Sequence, residues 1–359
     1  MSRYDLDRRQ VAELLADLPG YRTRQLWDGL YKRLVDPEEL TELSRSLRRR
    51  LADAPELAPA LQPVREAVAD DGATLKWLFA LHDGERVETV LMHHARHSTV
   101  CVSSQAGCAM ACSFCATGQA GYRRHLSTGE IVEQVVLAAR AASAHGRRLD
   151  HVVFMGMGEP LANYARVWAA TERIVDELGL AARHVTVSTV GVVPGILRLA
   201  GERLQVSLAV SLHAANDALR DELVPLNRRY PLDVLVEACR RYTDTTHRRI
   251  SLEWALIDGV NDRPADAAEL AAIARDLRAH VNLIPLNPTP GYPVLGSPPA
   301  RVRAFRDDLL RQKVNATVRR TRGREIDAAC GQLAAATPPA PGAPLELAAR
   351  LALSARREA

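Results

Sequence analysis

No uninterrupted apolar run in this sequence reaches the ~18 residues that a membrane-spanning helix requires. The N-terminus lacks an apolar core as well: Met1-Ser2-Arg3-Tyr4-Asp5-Leu6-Asp7 is polar and does not read as a signal peptide. Charge of one sign is also missing. Lys and Arg number 47 against 43 Asp and Glu, a balance of +4, far from a histone-like tail and no argument by itself for a nucleic-acid partner. Cysteine is scarce, six in all. Without an export signal the expected compartment is the cytoplasm, where thiols stay reduced, so these six read as metal or redox chemistry and not as a disulfide framework. No internal repeat stands out. What is present is 47% hydrophobic residues over 359 positions, enough for a sizeable core in one large domain and one small.

Three of the scarce cysteines fall together, in Gly107-Cys108-Ala109-Met110-Ala111-Cys112-Ser113-Phe114-Cys115. Soft thiolates at close spacing select iron–sulfur clusters, zinc or Cu(I). Structural zinc and fully ligated clusters take four protein ligands, and no fourth Cys or His follows at short spacing. Three thiols around a four-iron cluster leave one iron open, and an open metal position is where a non-protein group binds and chemistry occurs.

Around this loop the chain has a legible organisation. Residues 1–60 read as a small basic helical accessory domain. One helix lies near Val11, a second runs from Arg22 to Leu34, and a third is expected through Leu40, Leu43 and Leu47 into Arg48-Arg49-Arg50. Its Arg residues suit phosphate contacts, and a helical cap on the main domain is the equal alternative. Residues 61–97 read as a β-hairpin extension, with Asp83-Gly84 as the turn between Thr74–Leu81 and Arg86–Met92. From 98 to 332 strand and helix alternate, which implies a parallel sheet with helices outside. Right-handed crossovers curl such a sheet into a full or partial barrel, with the site at the C-terminal ends of its strands. Residues 333–359 read as a flexible Ala/Pro-rich tail with a short amphipathic stretch.

Cys108-x3-Cys112-x2-Cys115, with Phe114 before the last thiol, resembles the radical S-adenosylmethionine (SAM) signature. The string Arg322-Gly323-Arg324-Glu325-Ile326-Asp327-Ala328-Ala329-Cys330-Gly331-Gln332-Leu333 resembles the C-terminal motif of the RlmN/Cfr radical SAM RNA methyltransferases. The same family likeness extends to Val87-Glu88-Thr89-Val90, to Val100-Cys101, to Gly156–Leu161 with Asn163, and to Ser211-Leu212-His213-Ala214. It covers about residues 20–333. It implies an α/β fold, a partial (β/α)6 radical SAM barrel with the small helical domain and β extension attached. It also implies one 4Fe-4S cluster on Cys108, Cys112 and Cys115, and two SAM molecules per turnover. Gly158, Glu159, Ser188, Ser211, Leu212, His213 and Asn287 would contact SAM.

The chemistry that the resemblance implies begins from an inert target. C2 and C8 of adenine are amidine carbons without nucleophilic character, so direct methyl transfer fails there. Cys330 would take a methyl from one SAM. A radical made from the second would remove hydrogen from that methyl, and the carbon would add to the ring. Glu88 would accept the ring proton, and Cys101 would release the product by closing a transient disulfide with Cys330. The implied substrate is an adenosine of 23S rRNA, and of tRNA beside the anticodon. The implied electron donor is a flavodoxin or ferredoxin, and the enzyme would act as a monomer without a membrane. Methylation at C8, of the Cfr type, is left open by the shared motifs. From other classes, a non-catalytic RNA-binding protein with a structural metal site remains an alternative, and a glycyl-radical activase would have no use for Cys101 and Cys330. Cys239 matches no motif and reads as structural.

Overall fold

The computed structural model describes residues 2–289, 292, 294–319 and 322–333. The expected tail beyond 333 lies outside these, as does Arg320. Helix α1 (Arg8–Leu14) starts at Asp7, which takes the Gln10 amide while the Gln10 side chain takes its own. Helix α2 (Tyr21–Asp28) runs on through one π-turn, Gly29–Arg33. The expected third helix starts later than its leucines suggest. Pro37–Glu39 form a short 3-10 turn, and α3 (Arg45–Ala52) begins only where Ser44 caps the Leu47 amide. Leu40 and Leu43 are buried within the intervening turn. The apolar spacing was right for burial, but a capping serine decides where a helix starts.

Strands β1 (Gln62–Ala69), β2 (Thr74–Ala80) and β3 (Arg86–His93) form an antiparallel meander, and β3 pairs antiparallel with β4 (Ser98–Cys101). Two short strands not anticipated from sequence, β5 (Gln105–Gly107) and β6 (Tyr122–His125), pair with each other and bracket the cysteine loop and the single turn of α4 (Ala116–Gln119). Next come α5 (Thr128–Ala144), opened by a Ser127/Glu130 capping box, then β7 (His151–Phe154), α6 (Tyr164–Asp176), β8 (Val185–Thr189), α7 (Val193–Ala200) and β9 (Ser207–Ser211). They continue as α8 (Asp217–Leu223), α9 (Leu232–Thr246), β10 (Ser251–Leu256), α10 (Pro264–Asp276), β11 (His280–Pro285), α11 (Pro299–Arg311) and β12 (Ala316–Val318).

The main sheet runs β1-β2-β3-β4-β7-β8-β9-β10-β11-β12. From β4 onward every neighbour is parallel, so the β extension and the barrel strands form one continuous sheet. Each parallel strand before β12 is followed by a helix on the outside of the sheet, and Val152, Phe154, Leu208, Val210, Leu252, Trp254, Val281 and Leu283 lie in the core. Trp254, for example, stacks on Phe305 of α11 at 6.0 Å. The alternate residues, period two, face inward. Ser211, Glu253 and Asn282 stand level with one another across β9, β10 and β11.

The N-terminal helices share this core. Arg173 of α6 donates to the carbonyls of Tyr4 and Leu6, and Trp27 Nε1 donates to Glu177 at 2.7 Å. Cys239, on α9, is buried in the same core. Among the described residues, no helix is long and apolar enough to cross a membrane.

Candidate active site

At the C-terminal ends of the parallel strands lies a cavity of about 160 Å³. Its wall contains Cys108, Cys112, Cys115, Gly158, Glu159, Ser188, Ser211, His213, Asn287 and Cys330. Ten of the thirteen residues singled out from sequence are therefore gathered at one place, from six separate stretches of chain. Three are not on that wall. Leu212 packs into the core, and its amide donates to the Glu253 carbonyl at 3.0 Å. The alternation that turns Ser211 inward turns its neighbour outward. Cys101 lines an adjoining space of about 30 Å³, whose wall also includes Cys330 and Arg319. Glu88 lines neither; its carboxylate is paired with Lys76 at 3.0 Å. Glu88 does share a sheet face with Cys101, since 88, 90 and 92 alternate along β3 and Val90 stands opposite Cys101.

The cysteine loop is tightly folded. The Cys115 amide donates to the Cys112 carbonyl, and a Cβ at position 118 would lie 3.0 Å from the Cys112 nitrogen, so a larger residue there would push on the loop backbone. Burial pushes the Cys108 thiol up to about 12 and Cys112 and Cys115 upward too, each helped by its neighbouring thiol. Thiols in that state stay neutral unless a cation joins them, and a bound metal deprotonates coordinating thiols. The three thiols line one cavity wall, and soft sulfur donors of this kind suit an iron–sulfur cluster.

The strand-end residues have defined partners. Gly158 has φ +99, and a Cβ there would meet Gln105 at 2.5 Å; the Gln105 side chain in turn takes the Glu159 amide at 2.8 Å. Glu159 accepts the Leu161 and Val190 amides at 3.0 and 2.9 Å, yet burial raises it from 4.5 to about 7. The folded protein thus holds this proton more tightly than the unfolded chain does. The associated stability is full below about pH 4.5 and is lost as pH rises through about 7. Thermal melts of metal-free protein should fall across that window, and a Glu159→Gln variant should show a flatter profile; equal slopes would refute the assignment. His213, at φ +60, accepts the Ala255 amide on Nδ1 and is kept neutral, lowered to about 3 by burial and the Arg220 charge.

Cys330 is carried in by a segment tied down on two sides. The Ala116 amide donates to the Gly331 carbonyl at 2.8 Å, and Asn287 Nδ2 to the Cys330 carbonyl at 3.2 Å. From the meander, Lys76 donates to the Asp327 carbonyl and the Gly323 amide donates to Asp70. Burial pushes Cys101 up to about 12, with Arg319 pulling the other way. Arg319 has no ion pair among the described residues. Cys330 first, then Glu253 and Cys101, hold its pKa above the usual arginine value against the pull of burial, and its guanidinium reaches the Met155 sulfur at 3.7 Å.

Sequence reasoning missed Arg319, Glu253 and Arg220 as site residues. A charged residue inside the apolar strand Leu252-Glu253-Trp254-Ala255-Leu256 was the signal for Glu253, and Arg319 was submerged in a run of arginines.

The Radical SAM superfamily model matches residues 102–271, from just after Cys101 through most of α10. The chain is 53% identical over 350 residues to the probable dual-specificity RNA methyltransferase RlmN of Salinispora tropica, covering 94% of each. It is 49% identical to the protein of the same description from Mycolicibacterium smegmatis, covering 92% of this chain and 94% of that one. Among solved structures, a radical SAM methyltransferase from Sphaerobacter thermophilus superposes with a TM-score of 0.90 at 51% identity, over 93% of this chain and 99% of the other. With a barrel open toward its cysteine loop and relatives matched over more than nine-tenths of its length, this chain belongs to the RlmN family of radical SAM methyltransferases.

Proposed function

We propose that this chain methylates C2 of an adenosine in RNA, in 23S rRNA and also in tRNA beside the anticodon, through a methylated cysteine and a covalent RNA intermediate. RNA methylation as such follows from the family, whose members are described as dual-specificity RNA methyltransferases. The finer reading rests on one observation. Cys101 and Cys330, remote in sequence, border the same small space beside Arg319, next to the three-cysteine loop.

Bound at this cavity, a 4Fe-4S cluster on Cys108, Cys112 and Cys115 and SAM supply a carbon radical and a methyl group. The remaining work falls to the chain. Gly158, Glu159, Ser188, Ser211, His213 and Asn287 line the space that SAM would fill, and Leu212 positions the Ser211–His213 turn through its backbone. Cys330 accepts the methyl on sulfur and carries that carbon to the base. The Arg319 charge pulls the Cys101 thiol down against its burial. Cys101 then forms a sulfur–sulfur bond with Cys330 and frees the RNA. Glu88, held by Lys76 on the face that carries Cys101, takes the ring proton. Two SAM molecules are consumed per turnover, and a small flavodoxin or ferredoxin supplies the electron. Exposed Arg45 and Arg49 of the 1–60 segment offer charge to RNA phosphates, and the enzyme works as a monomer in the cytoplasm.

The mass of the Cys330 peptide from freshly purified protein is the direct test. One added methyl is expected on Cys330, and none in a Cys330→Ala variant. An unmodified Cys330 in active enzyme would remove the cysteine route, and mass spectrometry of the product nucleoside separates C2 from C8.

A further inference from the structure

Glu253 is a buried carboxyl that none of the roles above uses. It stands mid-strand in β10, faces the barrel interior and lines the cavity at 3% exposure. Three hydrogen bonds lead to it. His280 Nε2 lies 2.9 Å from Thr317 Oγ1, Thr317 Oγ1 donates to Asn282 Oδ1 at 2.8 Å, and Asn282 Nδ2 donates to Glu253 Oε1 at 3.2 Å. The Thr317 hydroxyl has one proton and gives it to Asn282, so His280 Nε2 carries the proton of its own bond. Every donor in this series points toward Glu253. Oε1 is satisfied and the carboxyl plane is fixed. Oε2 is buried and, among the described residues, has no hydrogen-bond partner.

A buried acceptor left alone is costly, so a ligand that brings a donor to it is favoured. Arg319 indicates which ligand. Arg319 and Cys330 line the same cavity as Glu253, and both also border the adjoining space of Cys101. Glu253 therefore shares its cavity with the thiol that a base must approach for a carbon on Cys330 to reach it. Adenine offers a donor at its 6-position, an amino group. Burial pushes Glu253 up and the Arg319 charge and the Asn282 bond pull it back; in its ionised form it would meet the carbonyl oxygen that hypoxanthine has there acceptor to acceptor. We propose that Glu253 Oε2 receives the 6-amino group of the target adenosine and sets the enzyme's choice of adenine. This rests on the RNA adenosine reading given under Proposed function.

The test uses the cluster-loaded enzyme and RNA hairpins that carry adenosine, inosine or purine riboside at one loop position. Wild type should bind the adenosine hairpin about tenfold or more better than the other two, because a site built around a donor rejects analogues that lack it. In Glu253→Gln, the amide oxygen would keep the Asn282 bond and the amide nitrogen would face the cavity as a donor. The preference should then level or turn toward inosine, with SAM affinity unchanged. Glu253→Ala should lose the preference without reversing it. An adenosine-to-inosine ratio in both variants equal to wild type would overturn the proposal. So would a loss of SAM affinity with the ratio intact, which would assign Glu253 to the cofactor. Selective binding that responds to Glu253 as described, without methyladenosine formation by wild type, would support the Glu253 contact and refute the methylation reading alone.

Discussion

An enzyme in which Cys101 is replaced by alanine should purify from cells, or emerge from a reaction, with RNA that survives denaturation. The expected turnover is one event per chain or fewer, against many for wild type, because the product stays tethered through the Cys330 sulfur. The geometry explains why Cys239 would not substitute. Cys101 ends β4 opposite Val90 and borders the same 30 Å³ space as Cys330. Cys239, by contrast, is sealed in the core on α9. Loss of a small buried thiol is a modest packing change, about 1 kcal/mol, so the variant should fold and bind RNA. Labelled RNA on a denaturing gel, followed by the mass of the RNA–peptide adduct, reads the result. The adduct should vanish when Cys330→Ala is added. Free, methylated RNA released by Cys101→Ala at the wild-type rate would end the two-thiol account.

How far the sequence exposed this site depends on the kind of physics involved. The βα alternation predicted the barrel because burial on both faces and crossover geometry act on whole segments. The cysteine loop and the flanking Cys101 and Cys330 were legible because their residue types are rare. The contiguous motif Ser211-Leu212-His213 does not reveal the period of the strand, which turns the Leu212 side chain into the core and leaves its backbone at the site. The β5–β6 pair escaped because two strands of three and four residues carry too little pattern. The third helix was drawn too early because apolar spacing marks burial, whereas Ser44 marks the start. Arg319, Glu253 and Arg220 act through neighbours that only folding brings together, so no local signal sets their partners.

Arg220→Met should lower stability by several kcal/mol, at about 1–3 kcal/mol for each buried acceptor left without its donor. Arg220 is 1% exposed. Its Nε donates to the Leu212 carbonyl at 3.0 Å, and one terminal nitrogen to Asn227 at 2.8 Å. The other reaches the Val190 carbonyl at 2.6 Å and the Ser211 carbonyl at 3.3 Å. These carbonyls sit where β8 and β9 end, beside Ser188, Ser211 and His213. A methionine fills much of the volume but satisfies none of them, and each buried carbonyl left alone carries its own desolvation cost. Burial lowers Arg220 to about 10, so it remains a cation at neutral pH, facing Cys112. Arg220→Lys keeps that charge but lacks the planar fork, and should fall between the two. The melting temperature should drop by roughly 10 °C in Arg220→Met, and SAM affinity should fall with it as the strand ends relax. Arg50→Met, which removes a fully exposed pair with Asp17, should leave the melt unchanged. If Arg220→Met melted within a degree of wild type, the strand ends would have to be held by something other than this guanidinium.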